Sequence, residues 1–497
     1  MVEIPGLEGC ASRHWRAFLV LLLLSTALLA HTPHMDYRYP LHVDEWHHIG
    51  EANNLAAGRY GFWSLAGFEI GYHAFLLSLE GLGFDLVSDY RFLPVLFAVA
   101  GAAALYLLSY RVTGDRMSSL FSLVFFSTLP TNVNLLGLWF ATPLTFAIPL
   151  IYLSLYFFLR GVMDSEGRSL LVYCILLLML LLSHPVSAFL VLIVSALHVL
   201  MDAGARTSLA QHRIYVVLVF LLMGFAAFSF MFLLGRDVGW FLSKLVFTSG
   251  WTALEPSATT NAHTYFLLDH NLSLSPYFLP LLFGLAPSIL ALTGIYHHIR
   301  EGRTFFVAWV FYSASIMFLF VNFKISPLIP YQRMIYYCLM ALAPLAGVGS
   351  SRVIRFLSAK LDGDRVTPTL AALLIMFSAL YGYGSHPPGL GLYKLVDDSD
   401  VEALGFLRKM PYGPAIADLK HAIAVHAIAD KSVPATLVFI GNERSRGDVR
   451  EFYASNCTVK EEIANRYKTR YVYSEEKIAC DGFREVYSDD RFIYDLR

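Results

Sequence analysis

The chain has 497 residues, of which 56% are apolar and only 15% are charged, and its mean hydropathy is +0.55. An ordinary soluble domain carries about 25% charged residues, so this composition excludes a soluble enzyme, a disordered chain and a fibrous repeat. The net charge of −1 gives no electrostatic reason to expect a nucleic-acid partner. The sequence contains no CxxC pair, so a zinc ribbon is not expected.

The charges are unevenly distributed. Residues 397–497 hold 18 acidic and 15 basic residues out of the 75 charged residues in the chain. This distribution predicts an α-helical polytopic membrane body at 1–384 and a small α/β domain at 385–497, which is long enough to form its own core.

The apolar segments predict about eleven transmembrane helices, because one crossing needs about 20 mostly apolar residues. The segment 69–84 is short and contains Glu69, His73 and Glu80, so we expect an interfacial helix there. The first span lacks a small-residue cleavage site and is expected to be an uncleaved anchor. The predicted spans are 15–30, 91–110, 117–131, 142–159, 169–183, 186–201, 213–234, 277–298, 304–321, 332–349 and 368–384.

The basic residues predict the orientation. Alternate loops each carry at least a pair of Lys or Arg, which marks the cytoplasmic side. The N-terminus is therefore expected in the cytoplasm and the tail outside, in a plasma membrane or, in a eukaryote, the endoplasmic reticulum. The pairs and clusters are Arg13/Arg16, Arg111/Arg116, Arg160/Arg168, Arg206/Arg213, Arg300/Arg303 and Arg352/Arg355/Lys360/Arg365.

The tail carries local signals for helices and strands. Ser399 to Glu402 is interpreted as a capping box before a helix, and a second helix is predicted at 459–467. Apolar runs predict strands, and the chain end predicts a hairpin that turns at Asp489-Asp490. The predicted strands are 415–419, 436–441 and 470–474.

The first outer loop contains the acidic pair Asp44-Glu45 about 14 residues after the first span. If 45–57 is helical, Asp44 lies at its N-cap, where backbone N–H groups keep it ionised as a base or metal ligand. The alternative is a simple helix cap with solvated acids.

Three histidines, His42, His47 and His48, surround this pair. Asp44 and His48 are four residues apart, so one helix face could present both to zinc or manganese. The alternative is that these histidines only anchor the loop at the membrane interface.

The order of these features resembles the GT-C superfamily of membrane glycosyltransferases. An anchor leads to DEWHHIGEANNLAAG, then to GYHAFLLSLEGLG, then to a span that begins with Arg91-Phe92-Leu93-Pro94. The superfamily includes protein O-mannosyltransferases, aminoarabinose transferases of lipid A and the catalytic subunits of oligosaccharyltransferases. The likeness covers most of the chain, including an outer C-terminal domain.

The resemblance implies roles for particular residues. Asp44, with Glu45 beside it, corresponds to the acid that activates the acceptor or helps to bind a divalent metal such as manganese, magnesium or zinc. Arg333, in IPYQRMIYYCLMALAPLAG, corresponds to the Arg that holds the phosphate of a polyprenyl carrier, with Lys324 as a second cation. The alternative for Arg333 is contact with lipid headgroups at a helix end.

Two further regions bear on a site. Ser183-His184-Pro185 places His184 at the mouth of a span, where it either lines a cavity or is buried in a Pro-broken turn. The loop LPTNVNLLGLWFATP has Asn132 and Asn134 where several GT-C families carry a second acid. Asn132, Glu255 or Asp269 could supply the missing ligand.

The leading hypothesis is a glycosyltransferase that moves a sugar from a polyprenyl-phosphate donor to an acceptor protein, lipid or glycan at the outer face. A transporter or flippase of lipid-linked material is the main alternative, although mid-span segments are almost wholly apolar. A non-catalytic scaffold that binds partners through the tail is the third.

The only cysteines of the tail, Cys457 and Cys480, are expected to form a disulfide, because an oxidising outer face permits one. The alternative is two unpaired thiols in the small core.

Overall fold

In a computed structural model, the described residues are 7–60, 69–131, 137–212, 279–323, 331–360, 366–384, 394–437 and 440–496, with a few positions between 214 and 224. They form two compact units. The first contains the described residues of 1–32, 92–254 and 262–388. The second combines 33–91 with 389–497. The sequence had assigned 33–91 to the membrane body, whereas the structure groups it with the tail.

Helices dominate the first unit. They are α1 (Leu7–His31), α4 (Leu93–Thr113), α5 (Arg116–Ser127), α6 (Pro143–Met163), α7 (Gly167–Ser183), α8 (Pro185–Met201), α9 (Ala203–Gln211), α10 (Leu279–Phe283), α11 (Leu285–Arg300), α12 (Phe305–Phe323), α13 (Tyr331–Lys360) and α14 (Val366–Gly384).

Every predicted span overlaps one of these helices except 213–234, which lies largely outside the described residues. Among the described residues, four helices are long and apolar enough to cross a bilayer: His14–His34, Tyr90–Thr113, Pro143–Met163 and Arg333–Lys360. The pair α8 and α9, bent by 110°, would make a fifth. The chain therefore has the features of a multi-pass membrane protein, and the count of about eleven rests on the sequence alone.

Two predicted spans differ in detail. The span at 117–131 is the 12-residue helix α5, about 18 Å long, which is shorter than the hydrocarbon core. It ends before Pro130, because a proline disfavours helical backbone at the residue before it. The span at 277–298 is divided at Gly284, whose φ of 93° only glycine adopts without strain.

Helix α13 is the centre of the first unit and packs against α5, α11 and α12. Glycines allow the close approach of α11 and α13. A Cβ on Gly294 would overlap the Leu345 carbonyl oxygen, and one on Gly349 would overlap the Leu290 carbonyl oxygen. Small residues at such crossings let membrane helices pack backbone to backbone.

The second unit contains α2 (Val43–Ala56), α3 (Ile70–Gly81), α15 (Asp398–Lys409), α16 (Ala422–Ala429), α17 (Glu443–Ala454) and α18 (Cys457–Arg466). Its sheet has the order β1-β2-β4-β3, where β1 is Ala415–Ile416, β2 is Tyr471–Ser474, β3 is Arg484–Ser488 and β4 is Phe492–Asp495. Strand β1 is parallel to β2, and the other pairs are antiparallel. The tail is therefore α/β, with the predicted C-terminal hairpin.

Three local predictions in the tail were wrong. Helix α15 begins at Asp398 with Asp397 as N-cap and Asp400 as its capping-box partner, so the box lies two residues earlier than predicted. The strand at 415–419 is only two residues long. The described part of 436–441 is a tight loop, because the N–H of Thr436 donates to the Ile440 carbonyl (2.9 Å).

Polar contacts join residues 33–60 to the tail within the second unit. The Tyr37 hydroxyl donates to the Val396 carbonyl (2.8 Å), and the Asn53 amide donates to the Ala427 carbonyl (2.7 Å). Helix α2 also packs on α16, where a Cβ on Gly50 would overlap the His426 ring. The segment that carries Asp44 is therefore held by the C-terminal domain.

Candidate functional site

The acidic pair lies in the first turn of α2, where the two side chains have different surroundings. The N-cap is His42, whose Nδ1 accepts a hydrogen bond from the Asp44 N–H (3.1 Å). The prediction that Asp44 is the N-cap was therefore wrong, since Asp44 is the second residue of the helix. This N-cap is hard to recognise in the sequence because the usual N-cap residues are Ser, Thr, Asp and Asn.

Glu45 is fully buried, and its carboxylate caps the start of the helix. One oxygen, Oε2, accepts from the N–H of Leu41 (2.6 Å) and from the N–H of His42 (2.9 Å). This carboxylate satisfies two buried backbone donors, so its observed role is to hold the turn.

The Asp44 side chain is 20% exposed, and its Oδ1 lies 3.4 Å from Nδ1 of His42. It stands at the positive N-terminal end of α2, where the helix dipole favours a carboxylate. Asp44 thus combines ionisation with access to solvent, which a general base requires.

Two histidines of this region, His47 and His73, are neutral at pH 7. Burial lowers the pKa of His47 to about 4, although the charge of Asp44 partly opposes this shift. Burial, together with His47, lowers the pKa of His73 to about 3. Neutral imidazoles offer a lone pair to a proton or to a metal.

A cluster of His48, Glu69 and His73 joins α2 to the start of α3. Nδ1 of His48 lies 3.1 Å from Nε2 of His73 and 3.8 Å from Oε2 of Glu69. The Tyr60 hydroxyl lies 2.6 Å from Nδ1 of His73. One ligating atom from each cluster residue lies within 4.8 Å of the others. The cluster contains His48, one of the candidate ligands from the sequence, but neither His47 nor Asp44.

Arg333, the residue predicted to bind the donor phosphate, lies in the first turn of α13 and is half-buried. One turn later, the Tyr337 hydroxyl lies 2.8 Å from the Ser187 hydroxyl, which lies 2.7 Å from Nδ1 of His184. Arg333 interacts electrostatically with both His184 and Tyr337. The structure thus places His184 in a buried hydrogen-bonded chain near Arg333.

Four other positions of the predicted site lie outside the described residues: Lys324, Glu255, Asp269 and Asn132.

A second titratable cluster surrounds His421 in the tail. Its Nδ1 lies 2.6 Å from Asp418, and its Nε2 lies 3.9 Å from Asp400 and 3.7 Å from Glu475. Burial alone would lower the pKa of His421, but the hydrogen bond to Asp418 and the three carboxylates raise it. Asp400 is itself paired with Arg491 at 2.5 Å and accepts from the Tyr473 hydroxyl. The ion pairs satisfy the cluster, and this favours a structural role.

Cys457 and Cys480 are joined by a disulfide, with Cα atoms 5.5 Å apart. The bond links the first residue of α18 to the segment before β3 and so closes a loop within the tail.

Sequence reasoning missed Glu69, His73, Tyr60, Ser187 and Tyr337 as site residues. Two spacings could have suggested some of them. Glu69 and His73 are four residues apart, as are Arg333 and Tyr337, so each couple shares a helix face. No sequence signal connects Tyr60 to His73.

Comparison with solved structures identifies the fold. The Archaeoglobus fulgidus oligosaccharyltransferase in the apo form matches with a TM-score of 0.62 and 15% identity, over 93% of this chain and 70% of that one. Archaeal oligosaccharyltransferase AglB from A. fulgidus, in complex with an inhibitory peptide and a dolichol-phosphate, matches at 0.58 and 14%, over 94% and 70%. ArnT from Cupriavidus metallidurans in the apo state matches at 0.54 and 14%, over 98% of both chains.

No protein-family model and no curated protein sequence matches this chain. The structural matches nevertheless share one fold, that of the membrane GT-C glycosyltransferases, and this chain has it.

Proposed function

We propose that this chain, with its GT-C fold, is a membrane glycosyltransferase that moves a sugar from a polyprenyl-phosphate donor to an acceptor at the outer face of the membrane. The observation that carries the proposal is the state of Asp44. Its carboxylate is partly exposed at a helix N-terminus, on a turn that the buried Glu45 fixes.

Asp44 would act as the general base. Its carboxylate would take the proton from the acceptor hydroxyl or amide while that nucleophile attacks the anomeric carbon. The bond from the anomeric carbon to the phosphate oxygen would break, and the phosphate would leave with the electron pair. A single displacement of this kind inverts the anomeric configuration.

Arg333 would hold the donor phosphate. A guanidinium binds phosphate oxygens through two parallel hydrogen bonds and stabilises the charge that develops on the leaving group. Its position in the first turn of α13 adds the positive end of the helix dipole. The Ser187 and Tyr337 hydroxyls and His184 would orient Arg333 or the phosphate, with Lys324 as a second cation. The AglB complex with dolichol-phosphate supports a lipid-linked donor.

The proposal keeps the orientation expected from the basic loops. The N-terminus would be cytoplasmic, and the body at 1–384 would lie in the plasma membrane or the endoplasmic reticulum. The domain at 385–497 would face outside together with the Asp44 segment. The acceptor would be a protein, lipid or glycan. A divalent metal at Asp44 would need ligands such as Glu255 or Asp269, since Asp44 belongs to neither metal-ligand cluster of the described residues.

The test begins with mass spectrometry of the lipids that co-purify with the chain, which should include a polyprenyl-phosphate sugar. That donor is then used to measure transfer by Asp44→Asn, which keeps the shape of the side chain and removes its charge. Transfer should fall by about a hundredfold or more. Asp36→Asn, a matched control at an exposed ion pair with Lys394, should retain activity.

Near-normal transfer by Asp44→Asn would overturn the assignment of the base. Lipid movement without any sugar transfer by the wild-type chain would instead support a flippase, and neither activity would support a scaffold. Arg333→Ala should mainly raise the donor KM, and Arg333→Lys should restore only part of it, because Lys cannot make the two parallel bonds.

A further inference from the structure

We propose that His48, Glu69 and His73 bind one zinc ion, which fastens α2 to the start of α3 and so fixes the helix that carries Asp44. This site shares no residue with the proposed phosphate site and does not depend on the transfer reaction.

The spacing of the ligand atoms supports a metal. In a tetrahedral site with zinc–nitrogen bonds of about 2.0–2.1 Å, neighbouring ligand atoms lie about 3.3–3.4 Å apart. The measured separations are 3.1 Å from Nδ1 of His48 to Nε2 of His73 and 3.8 Å to Oε2 of Glu69. All three ligand atoms lie within 4.8 Å of one another, so a single ion can reach them if the Glu69 carboxylate moves closer to the two rings.

The surroundings prepare both rings as ligands. His48 is 6% exposed and His73 is fully buried, so their positions are fixed by packing. The Tyr60 hydroxyl, 2.6 Å from Nδ1 of His73, can accept the N–H of that atom. With the proton on Nδ1, the lone pair of Nε2 is available to the metal, which is the usual arrangement of a metal-bound histidine.

The donor set selects the ion. Two imidazoles and one carboxylate suit zinc, whereas magnesium and calcium prefer sites made of oxygen atoms. Three protein ligands leave the fourth position for water. Without a metal, the two rings would simply share one hydrogen bond, and the experiment distinguishes these cases.

The ion would also have a mechanical effect. His48 lies one turn after Asp44 on α2, and Glu69 is the residue immediately before α3. Coordination would therefore limit the movement of the turn that holds Asp44 relative to α3. Asp44 itself is not among the ligands, which makes metal binding and catalysis separable by mutation.

The experiment uses the full chain in detergent. Elemental analysis should find about one zinc per chain, and removal by a chelator should lower the melting temperature until zinc is restored. Cobalt added to the stripped protein should give the intense visible absorption of tetrahedral coordination. His48→Gln, Glu69→Gln and His73→Gln should each weaken zinc binding at least tenfold, and Tyr60→Phe should weaken it by roughly 10–100-fold.

Two controls separate this site from its neighbours. His47→Gln alters the adjacent histidine of α2 and should retain zinc, and Asp44→Asn should retain zinc even where it abolishes transfer. Full zinc affinity in the three ligand variants would overturn the proposal. If those variants fail to fold, the stripped wild-type chain decides, because absence of saturable binding of one equivalent of zinc would refute the site.

Discussion

Asp44 and Glu45 have different surroundings, and this difference leads to a prediction for Glu45→Ala. Oε2 of Glu45 accepts hydrogen bonds from the N–H groups of Leu41 and His42 at 2.6 and 2.9 Å, and the side chain is fully buried. Alanine removes both acceptors and leaves two backbone donors without them. We therefore expect Glu45→Ala to lower the stability of the fold more than it lowers the rate of sugar transfer.

The magnitude follows from these two contacts. A hydrogen bond to a charged group contributes about 1.5–3 kcal/mol, so losing two should cost roughly 3–6 kcal/mol. For a unit of this size each kcal/mol shifts the melting temperature by about 2–4 °C, so a fall of roughly 6–24 °C is expected. Asp44→Ala, on the same turn, should shift it by far less.

Thermal unfolding of the purified variants in detergent, followed by tryptophan fluorescence, measures this difference, and sugar transfer is assayed well below both midpoints. Glu45→Gln, which keeps one acceptor oxygen without the charge, should fall between the wild-type chain and Glu45→Ala. A Glu45→Ala protein with an unchanged midpoint and no transfer activity would refute the reasoning and make Glu45 the base.

Three further predictions concern stability. The pKa of His421 is raised in the folded state, so protonated His421 stabilises the fold fully below pH 6.5. This stabilisation is lost as the pH rises through the folded pKa, and the melting temperature of the tail should fall over that interval. His421→Gln should abolish the fall. Gly349→Ala should cost about 1–3 kcal/mol, because the new methyl overlaps the Leu290 carbonyl oxygen, whereas Gly405→Ala, with no atom near its Cβ position, should leave the melting temperature unchanged or raise it. Replacing Cys457 and Cys480 by serine should cost about 3 kcal/mol, measured as the loss of the difference between unfolding with and without reductant.

The long apolar helices could be predicted because a single property, about 20 apolar residues in succession, specifies them. Helices α4 and α6 follow this rule closely. The rule fails where backbone chemistry intervenes, as at Gly284, which divides a predicted span. In the tail, the hairpin of β3 and β4 was predicted from local residues. The run at 436–441 was misread because the N–H of Thr436 bonds to the Ile440 carbonyl of the same run, which closes a loop among its described residues.

The grouping of 33–91 with the tail could not be predicted in this way. The contact between Tyr37 and Val396 joins residues 359 positions apart, and no periodicity records such a pairing. The same limit applies to the His48, Glu69 and His73 cluster. The spacing of Glu69 and His73 is visible in the sequence, but their proximity to His48 depends on how α2 and α3 pack.

The two acids show why a site residue has to be identified from its face of the helix as well as from its chemistry. Adjacent residues of an α-helix point about 100° apart, so one of two neighbouring carboxylates can face the core while the other faces solvent. A carboxylate that accepts two backbone N–H groups is stabilised as an anion and is a poor proton acceptor. Asp44 lies outside that pair of bonds and is 20% exposed, and these two properties support the proposal that it takes the proton of the acceptor. The assignment of the base to Asp44 therefore depends on the same capping contacts that give Glu45 its structural role, and the Glu45→Ala experiment tests both.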